Sequence, residues 1–201
     1  LGAENNLFLR NHQTGEDISY KSFFANAERM AKALVASGVK PGDRVAVQVP
    51  KTQAMLELYV GTVLAGAVFL PLNTAYTAAE ITYFLTDAEP RIFVCDPNCK
   101  DELSAVAKDA GVAEVLTIGA DENGSLPERR DAAAPGFTPS PRGPDDLAAI
   151  LYTSGTTGRS KGAMLTHRAL ASNAQTLKDS WHFSADDVLI HALPMFHTHG
   201  L

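Results

Sequence analysis

The residues of this sequence that are best suited to chemistry form a short run, TSGTTGRSKG, at positions 153–162. Three glycines in the run let the backbone turn its N–H groups toward an anion, because no Cβ atom stands in the way. Hydroxyl groups that can donate to phosphate oxygens come from Thr153, Ser154, Thr156 and Thr157. Lys161 adds a compact positive charge. The run therefore predicts a loop that binds a polyphosphate.

The spacing within this run distinguishes it from other ligand-binding or catalytic loops. A Walker A loop requires Gly-Lys after a Gly and four further residues, whereas Ser160 follows Gly155 at that spacing. The sequence also lacks the G-x-G-x-x-G fingerprint of dinucleotide sites, and the run does not contain the G-x-S-x-G elbow of serine hydrolases. An ordinary turn of small residues is the alternative, and the length of the run and its Lys argue against it.

Three segments of the chain resemble segments of one enzyme superfamily. They are YTSGTTGRSKG at 152–162, LPLNTAY at 70–76 and PMFHTHG at 194–200. The first is similar to the signature loop of the adenylate-forming superfamily, which includes acyl-CoA synthetases, firefly luciferase and peptide-synthetase adenylation domains. The second resembles a loop after an early strand in acyl-CoA synthetases, and the third resembles the aromatic or histidine gate of the superfamily. Most members carry Pro where this chain has Ser160, and with that variant the segments resemble malonyl-CoA synthetases most.

This resemblance implies a reaction in two steps. A substrate carboxylate attacks the α-phosphate of Mg-ATP to give an acyl-adenylate and pyrophosphate, and a coenzyme A thiolate then displaces AMP to form a thioester. The resemblance assigns ATP binding to Thr153, Ser154, Gly155, Thr156, Thr157, Gly158, Arg159, Ser160 and Lys161. Lys161 is also expected to be catalytic by neutralising the β- and γ-phosphates, and Thr156, with Thr157 as the alternative, is expected to touch the shell of the Mg²⁺ ion.

The segment at 194–200 is implied to border the acid substrate. His197 falls where the superfamily places a residue between the carboxylate and the adenylate, so we expect it to be catalytic and substrate-binding. Thr198 and His199 are expected in the acyl pocket, where donor groups suit the second carboxylate of malonate better than an apolar chain. Malonate is therefore the expected acid, with another short-chain or aromatic acid as the alternative. The 201-residue chain itself is alternatively a catalytically incomplete fragment that binds nucleotide weakly at most.

Strands and helices are predicted to alternate along the chain in an order that positions such a loop. Apolar residues recur at helical spacing in 20–37, and the other predicted helices are 52–65, 78–86, 101–110 and 166–178. The predicted strands are 44–49, 67–70, 91–95, 114–118, 147–152 and 188–193. This alternation predicts an α/β fold with a mostly parallel sheet covered by helices. The resemblance identifies it as the N-terminal part of the large domain of an adenylate-forming enzyme.

Composition divides the chain into three predicted parts. Residues 1–118 form a first α/β subdomain, and residues 146–201 begin an ATP-binding segment that carries the phosphate loop and is cut short at 201. Between them, residues 119–145 are rich in Pro, Gly and charge, so we predict a surface connector that buries no face. Within that connector Arg129 and Arg130 are predicted to be a solvated pair.

Charge and cysteine content argue against several function classes. Lys and Arg number 17 against 23 Asp and Glu, and a net charge of −6 makes nucleic acid an unexpected partner. Cys95 and Cys99 make neither a disulfide framework nor a four-thiolate metal site, and no apolar run reaches the roughly 18 residues of a membrane helix. A reducing cytoplasm is the expected compartment. A metal site is the weaker interpretation of the histidines at 191, 197 and 199.

Overall fold

A computed structural model of the chain describes residues 4–12, 14–153 and 159–200, with the side chain of Thr198 excepted. Its strands are β1 Leu7–Arg10, β2 Asp17–Ser19, β3 Arg44–Gln48, β4 Val68–Pro71, β5 Ile92–Cys95, β6 Glu114–Thr117, β7 Leu147–Thr153 and β8 Lys161–Thr166. Its α-helices are α1 Tyr20–Ala36, α2 Gln53–Leu64, α3 Ala78–Ala88, α4 Lys100–Asp109, α5 Ser125–Ala132 and α6 His167–Ser180. Short 3₁₀ helices span Pro97–Cys99 and Thr198–Gly200.

The central element is a six-stranded sheet in the order β6-β5-β3-β4-β7-β8. Strands β3 to β7 pair in parallel, which confirms the predicted α/β fold with a mostly parallel sheet. Strand β8 pairs with β7 in the antiparallel direction. Strand β8 is not predicted from the sequence, which predicts that the loop after β7 is followed directly by a helix. The short β1 and β2 form a separate antiparallel pair.

Helices cover both faces of this sheet. On one face, α1 and α2 bury Leu34 and Leu58 in the same cluster as Phe69 of β4. On the other face, α3 and α4 bury Phe84 and Leu103 in a second cluster. Because both faces are covered, the strands between them are almost continuously apolar, which is the pattern of a parallel sheet.

The start of helix α3 is determined by local hydrogen bonds. The side chain of Thr77 accepts from the backbone N–H of Glu80, and the Glu80 carboxylate accepts from the backbone N–H of Thr77. This capping box satisfies two backbone N–H groups that the first helical turn leaves unpaired. Leu70 and Leu72 just before it are buried. The segment 70–76, singled out in the sequence, thus directs the chain from β4 to the Thr77 cap of α3.

Helix α5 lies within the predicted surface connector. Leu126 is fully buried. The guanidinium of Arg130 donates to the Glu57 carboxylate at 2.6 Å, and the Glu57 side chain has no exposed surface. The predictions that this segment buries no face and that Arg130 is solvated are therefore wrong. The reason is long-range, since Glu57 belongs to α2 and precedes Arg130 by 73 residues.

The predicted strand at 188–193 is not formed. Val188 is 90% exposed and Ile190 is 87% exposed. A strand requires a neighbour with which to exchange backbone hydrogen bonds. Strand β8 is the last strand at its edge of the sheet, and no segment within the described ranges pairs with 188–193. An apolar run alone therefore did not suffice to make a strand here.

Candidate active site

The first and last of the residues predicted to bind ATP, Thr153 and Lys161, lie opposite each other in the sheet. Thr153 ends β7, Lys161 begins β8, and the antiparallel register pairs these two residues directly. The structure thus brings together the first and last of the predicted ATP-binding residues. Five of the predicted ATP-binding residues between them lie outside the described residues: Ser154, Gly155, Thr156, Thr157 and Gly158.

The described residues of the loop differ in exposure. Thr153, Arg159 and Lys161 are exposed, whereas Ser160 is half-buried. The Lys161 side chain makes no hydrogen bond or ion pair with another residue of the described part of the chain. Its ammonium group is therefore not committed to a described partner and is available for an anion.

Helix α3 makes hydrogen bonds to the residue just before Thr153 and to the residue just before Lys161. The hydroxyl of Tyr152 donates to the Asp87 carboxylate at 2.5 Å, and the hydroxyl of Tyr83 donates to the backbone carbonyl of Ser160 at 2.7 Å. Burial first, and then the bond to Asp87, raises the pKa of Tyr152. The phenol therefore remains a donor at neutral pH.

The ring of Tyr152 packs between this helix and strand β8. Its centroid lies 4.5 Å from that of Phe84 and 6.3 Å from that of Tyr83. Gly162 is the register partner of Tyr152, and a Cβ at that position would lie 2.9 Å from Ile150 Cγ2 and 3.5 Å from Tyr152 Cζ. Glycine at 162 thus leaves room for the side chains of β7.

The gate segment, residues 194–200, is attached to the opposite face of the sheet. Met195 is 4% exposed and belongs to the cluster under α1 and α2. Just before it, the Lys51 ammonium donates to the backbone carbonyls of His191 and Leu193, the latter at 3.0 Å. Lys51 was not singled out in the sequence, although its position shortly after β3, at the carboxyl edge of the sheet, is a usable signal.

Within the gate segment, the two predicted histidines are exposed. The ring of His197 contacts that of Phe196, with centroids 4.5 Å apart, and the Gly200 N–H donates to the His197 carbonyl at 2.9 Å. A Cβ on Gly200 would collide with the Pro194 carbonyl, so the turn requires glycine there. His199 is exposed, and the side chain of Thr198 lies outside the described residues.

The phosphate loop and the gate segment meet the same edge of the sheet. The loop follows the carboxyl end of β7, and Lys51, which donates to the residues just before the gate segment, follows the carboxyl end of β3. Only β4 lies between these strands, so their ends are roughly 10 Å apart at the usual strand spacing. In α/β folds this carboxyl edge is where ligands bind. No hydrogen bond or ion pair joins His197 or His199 to Thr153 or Lys161 among the described residues.

A cavity of about 280 Å³ opens at the same edge, between the ends of β3 and β5. Its lining includes the carboxylates of Asp96 and Glu102. Two negative groups disfavour a triphosphate or a carboxylate substrate. The cavity therefore does not compete with the phosphate loop as the candidate ATP site. Cys99 also lines it, and Cys95 nearby is buried, which raises the pKa of its thiol to about 12.

No group of three or more His, Cys, Asp or Glu side chains within residues 4–12, 14–153 and 159–200 is arranged to hold a metal ion. His191, His197 and His199 are thus not brought together as a metal site. In the same ranges, no helix has both the length and the apolar character needed to cross a membrane.

The chain is similar to known proteins in both sequence and structure. The family model described as AMP-binding enzyme matches residues 4–201. The crystal structure of ATP-bound MatB from Rhodopseudomonas palustris is 55% identical in sequence and superposes with a TM-score of 0.95. That match covers 100% of this chain and 39% of the MatB chain.

Two curated relatives match less closely and carry different names. An oxalate–CoA ligase of Arabidopsis thaliana is 34% identical over 179 residues, which cover 87% of this chain and 35% of that protein. A long-chain-fatty-acid–CoA ligase of Mycobacterium tuberculosis is 34% identical over 186 residues, which cover 92% of this chain and 36% of that protein. This chain thus spans about a third of the length of each of these two relatives.

Proposed function

The chain belongs to the AMP-binding enzyme family, and on that premise we propose that the protein is an acid–thiol ligase that uses ATP. It activates a carboxylate as an acyl-adenylate with release of pyrophosphate, and it then transfers the acyl group to coenzyme A with release of AMP. The observation that carries this proposal is the β7–β8 pair. It places Thr153 opposite Lys161 at the carboxyl edge of the sheet, in a chain similar along its whole length to a protein solved with ATP bound.

Lys161 has the principal electrostatic role in the first step. When the carboxylate attacks the α-phosphate, negative charge accumulates on the departing pyrophosphate. The exposed ammonium of Lys161 neutralises part of that charge, and the Thr153 hydroxyl on the opposite strand donates to a phosphate oxygen. A bound Mg²⁺ ion supplies further charge neutralisation, with Thr156, which lies outside the described residues, as the proposed contact.

Malonate is the proposed acid. The two curated relatives at 34% identity are named for oxalate and for long-chain fatty acids, so identity at that level does not select the substrate. Two features favour malonate. The three segments at 70–76, 152–162 and 194–200 resemble malonyl-CoA synthetases most, and the exposed imidazoles of His197 and His199 suit a second carboxylate better than an apolar chain.

The test is ATP–pyrophosphate exchange in the complete protein with malonate, acetate, butyrate and benzoate. We expect the fastest exchange with malonate, and malonyl-CoA as the product when coenzyme A is added. If none of these acids supports exchange, the proposal of a ligase for short-chain or aromatic acids is wrong. If butyrate supports exchange as well as malonate does, only the assignment of the acid is wrong.

A further inference from the structure

Helix α3 contributes two side chains that hold opposite ends of the phosphate loop. Tyr83 and Asp87 lie four residues apart, so they project from the same face of the helix. Tyr83 donates to the carbonyl of Ser160, the residue before Lys161, and Asp87 accepts from Tyr152, the residue before Thr153. One face of one helix thus contacts both places where the loop joins the sheet.

The helix is a rigid base for these contacts. Phe84 and Leu85, which lie between the two holding residues, are at most 2% exposed and belong to the core. The Thr77 capping box fixes the first turn, and the ring of Tyr76 packs on that of Phe84 with centroids 4.8 Å apart. Gln48 at the end of β3 donates to the backbone carbonyl of Tyr76 at 3.2 Å. The position of α3 is therefore tied to the sheet at the edge where the loop begins.

The bond from Tyr83 is made to the main chain. It does not depend on the side chain at position 160, since a carbonyl oxygen is present with any residue there, Pro included. It acts one residue before Lys161, at the point where the chain returns to the ladder of β7 and β8. A bond at this point restrains the direction in which Lys161 enters the site.

We propose that Tyr83 and Asp87 are positioning residues that orient Lys161 and Thr153 for the β- and γ-phosphates of ATP. This proposal rests on the ligase function proposed above. Neither residue is a catalytic residue, because each acts through the residue that precedes Lys161 or Thr153 and not on the substrate itself. A merely structural role predicts lower stability and an equal loss in both half-reactions, whereas a positioning role predicts a loss confined to the step that uses the polyphosphate.

The experiment compares the two half-reactions in the complete protein. Tyr83→Phe removes one hydroxyl, and Asp87→Ala removes the acceptor of Tyr152. We expect ATP–pyrophosphate exchange to fall about three- to tenfold with Tyr83→Phe and about ten- to a hundredfold with Asp87→Ala, which loses a hydrogen bond to a charged group. The reaction of chemically prepared malonyl-adenylate with coenzyme A involves no polyphosphate and should keep its wild-type rate. Asp87→Asn, which retains an acceptor oxygen, should restore most of the exchange.

Matched controls separate these effects from a general loss of packing. Tyr59→Phe removes the hydroxyl of a tyrosine on the other face of the sheet, and Asp109→Ala removes an exposed carboxylate on α4. Both controls should match the wild type in both half-reactions. Thermal unfolding of every variant identifies any that fail to fold.

Two outcomes would overturn the positioning proposal: unchanged exchange in both test variants, or an equal loss in both half-reactions. An independent readout is amide hydrogen exchange of 153–162, which should be faster in Tyr83→Phe than in the wild type with ATP absent. If the wild type shows no exchange with any acid, the ligase function fails. The hydrogen-exchange measurement still tests whether α3 restrains the loop.

Discussion

The phosphate loop and the gate segment meet the same edge of one sheet but are attached to opposite faces of it. The loop is held by a strand pair and by side-chain hydrogen bonds from α3, on the face that buries Phe84. The gate is held by one buried side chain, Met195, on the face of α1 and α2, and just before the segment the Lys51 ammonium donates to two backbone carbonyls. The two segments therefore lie at the same edge of the sheet but are held by different residues. A substitution that weakens the attachment of one segment should leave the other intact.

The largest effect is expected at the loop, with Lys161→Ala. Loss of one charged group that stabilises the transition state should lower ATP–pyrophosphate exchange by about a hundred- to a thousandfold. Because Lys161 is exposed, the free energy of unfolding should stay within about 0.5 kcal/mol of the wild type. Lys108→Ala, at another exposed lysine, is the control and should be silent. Full exchange in Lys161→Ala would remove this residue from the proposed site.

A smaller effect confined to the acid is expected at the gate, with His197→Ala. Loss of a hydrogen bond to a carboxylate should raise the KM for malonate about ten- to a hundredfold while the KM for ATP changes little. Steady-state kinetics with each substrate varied in turn provides the measurement. A rise in the KM for ATP instead would mean that His197 contributes to ATP binding. The phosphate loop and the gate segment would then not have separate roles.

Lys51→Met tests the support of the gate. Methionine keeps an apolar stem but cannot donate to the carbonyls of His191 and Leu193. We expect about a three- to tenfold loss in kcat/KM for malonate, since the lysine positions the segment without touching the acid. Exchange measured at saturating malonate should reveal an unchanged KM for ATP. A loss shared equally by both substrates would contradict the separate attachment of the gate.

The smallest effect is expected with Ser160→Pro. The bond from Tyr83 uses the backbone carbonyl at this position, which proline retains. Proline also restricts the unfolded chain, so we expect activity within about twofold of the wild type and a gain in stability of about 0.4 to 1 kcal/mol. ATP–pyrophosphate exchange and chemical denaturation measure the two quantities. A large loss of activity would show that the Ser160 side chain or its N–H has a role that the carbonyl contact does not include.

Local patterns in the sequence predicted most of the fold. The helix predicted at 20–37 is α1, which buries six residues, because its apolar spacing and the Ser19 cap are both local properties. The helix predicted at 166–178 is α6, yet none of its residues is buried within the described structure. Apolar periodicity thus predicts that a helix forms. It does not predict how many of the helix residues are buried, because the residues that bury them lie elsewhere in the chain.

The features that the sequence did not predict depend on distant partners. Strand β8 needs β7 as its neighbour, the apolar run at 188–193 finds none among the described residues, and Arg130 is buried only because Glu57 receives it. For the site, a motif predicted Thr153 and Lys161, while Tyr83, Asp87 and Lys51 belong to no motif and are recognised only by what they touch. A motif within a short segment can thus be recognised from the sequence alone. The residues that hold that segment in place are recognised only in the folded chain.

The register of β7 and β8 has a further consequence for how this hairpin can vary. Cross-strand partners share a face of a sheet and successive residues alternate between faces. Thr153, Lys161, Leu151 and Ala163 therefore lie on one face, and Tyr152, Gly162, Ile150 and Met164 on the other. At the loop end, Thr153 and Lys161 are the proposed phosphate-binding residues, whereas the even-numbered Tyr152 and Ser160 make the hydrogen bonds to α3. Substitutions that change ligand binding and substitutions that strengthen the contacts with α3 can thus occur at alternating residues of the same two strands, with little conflict between them.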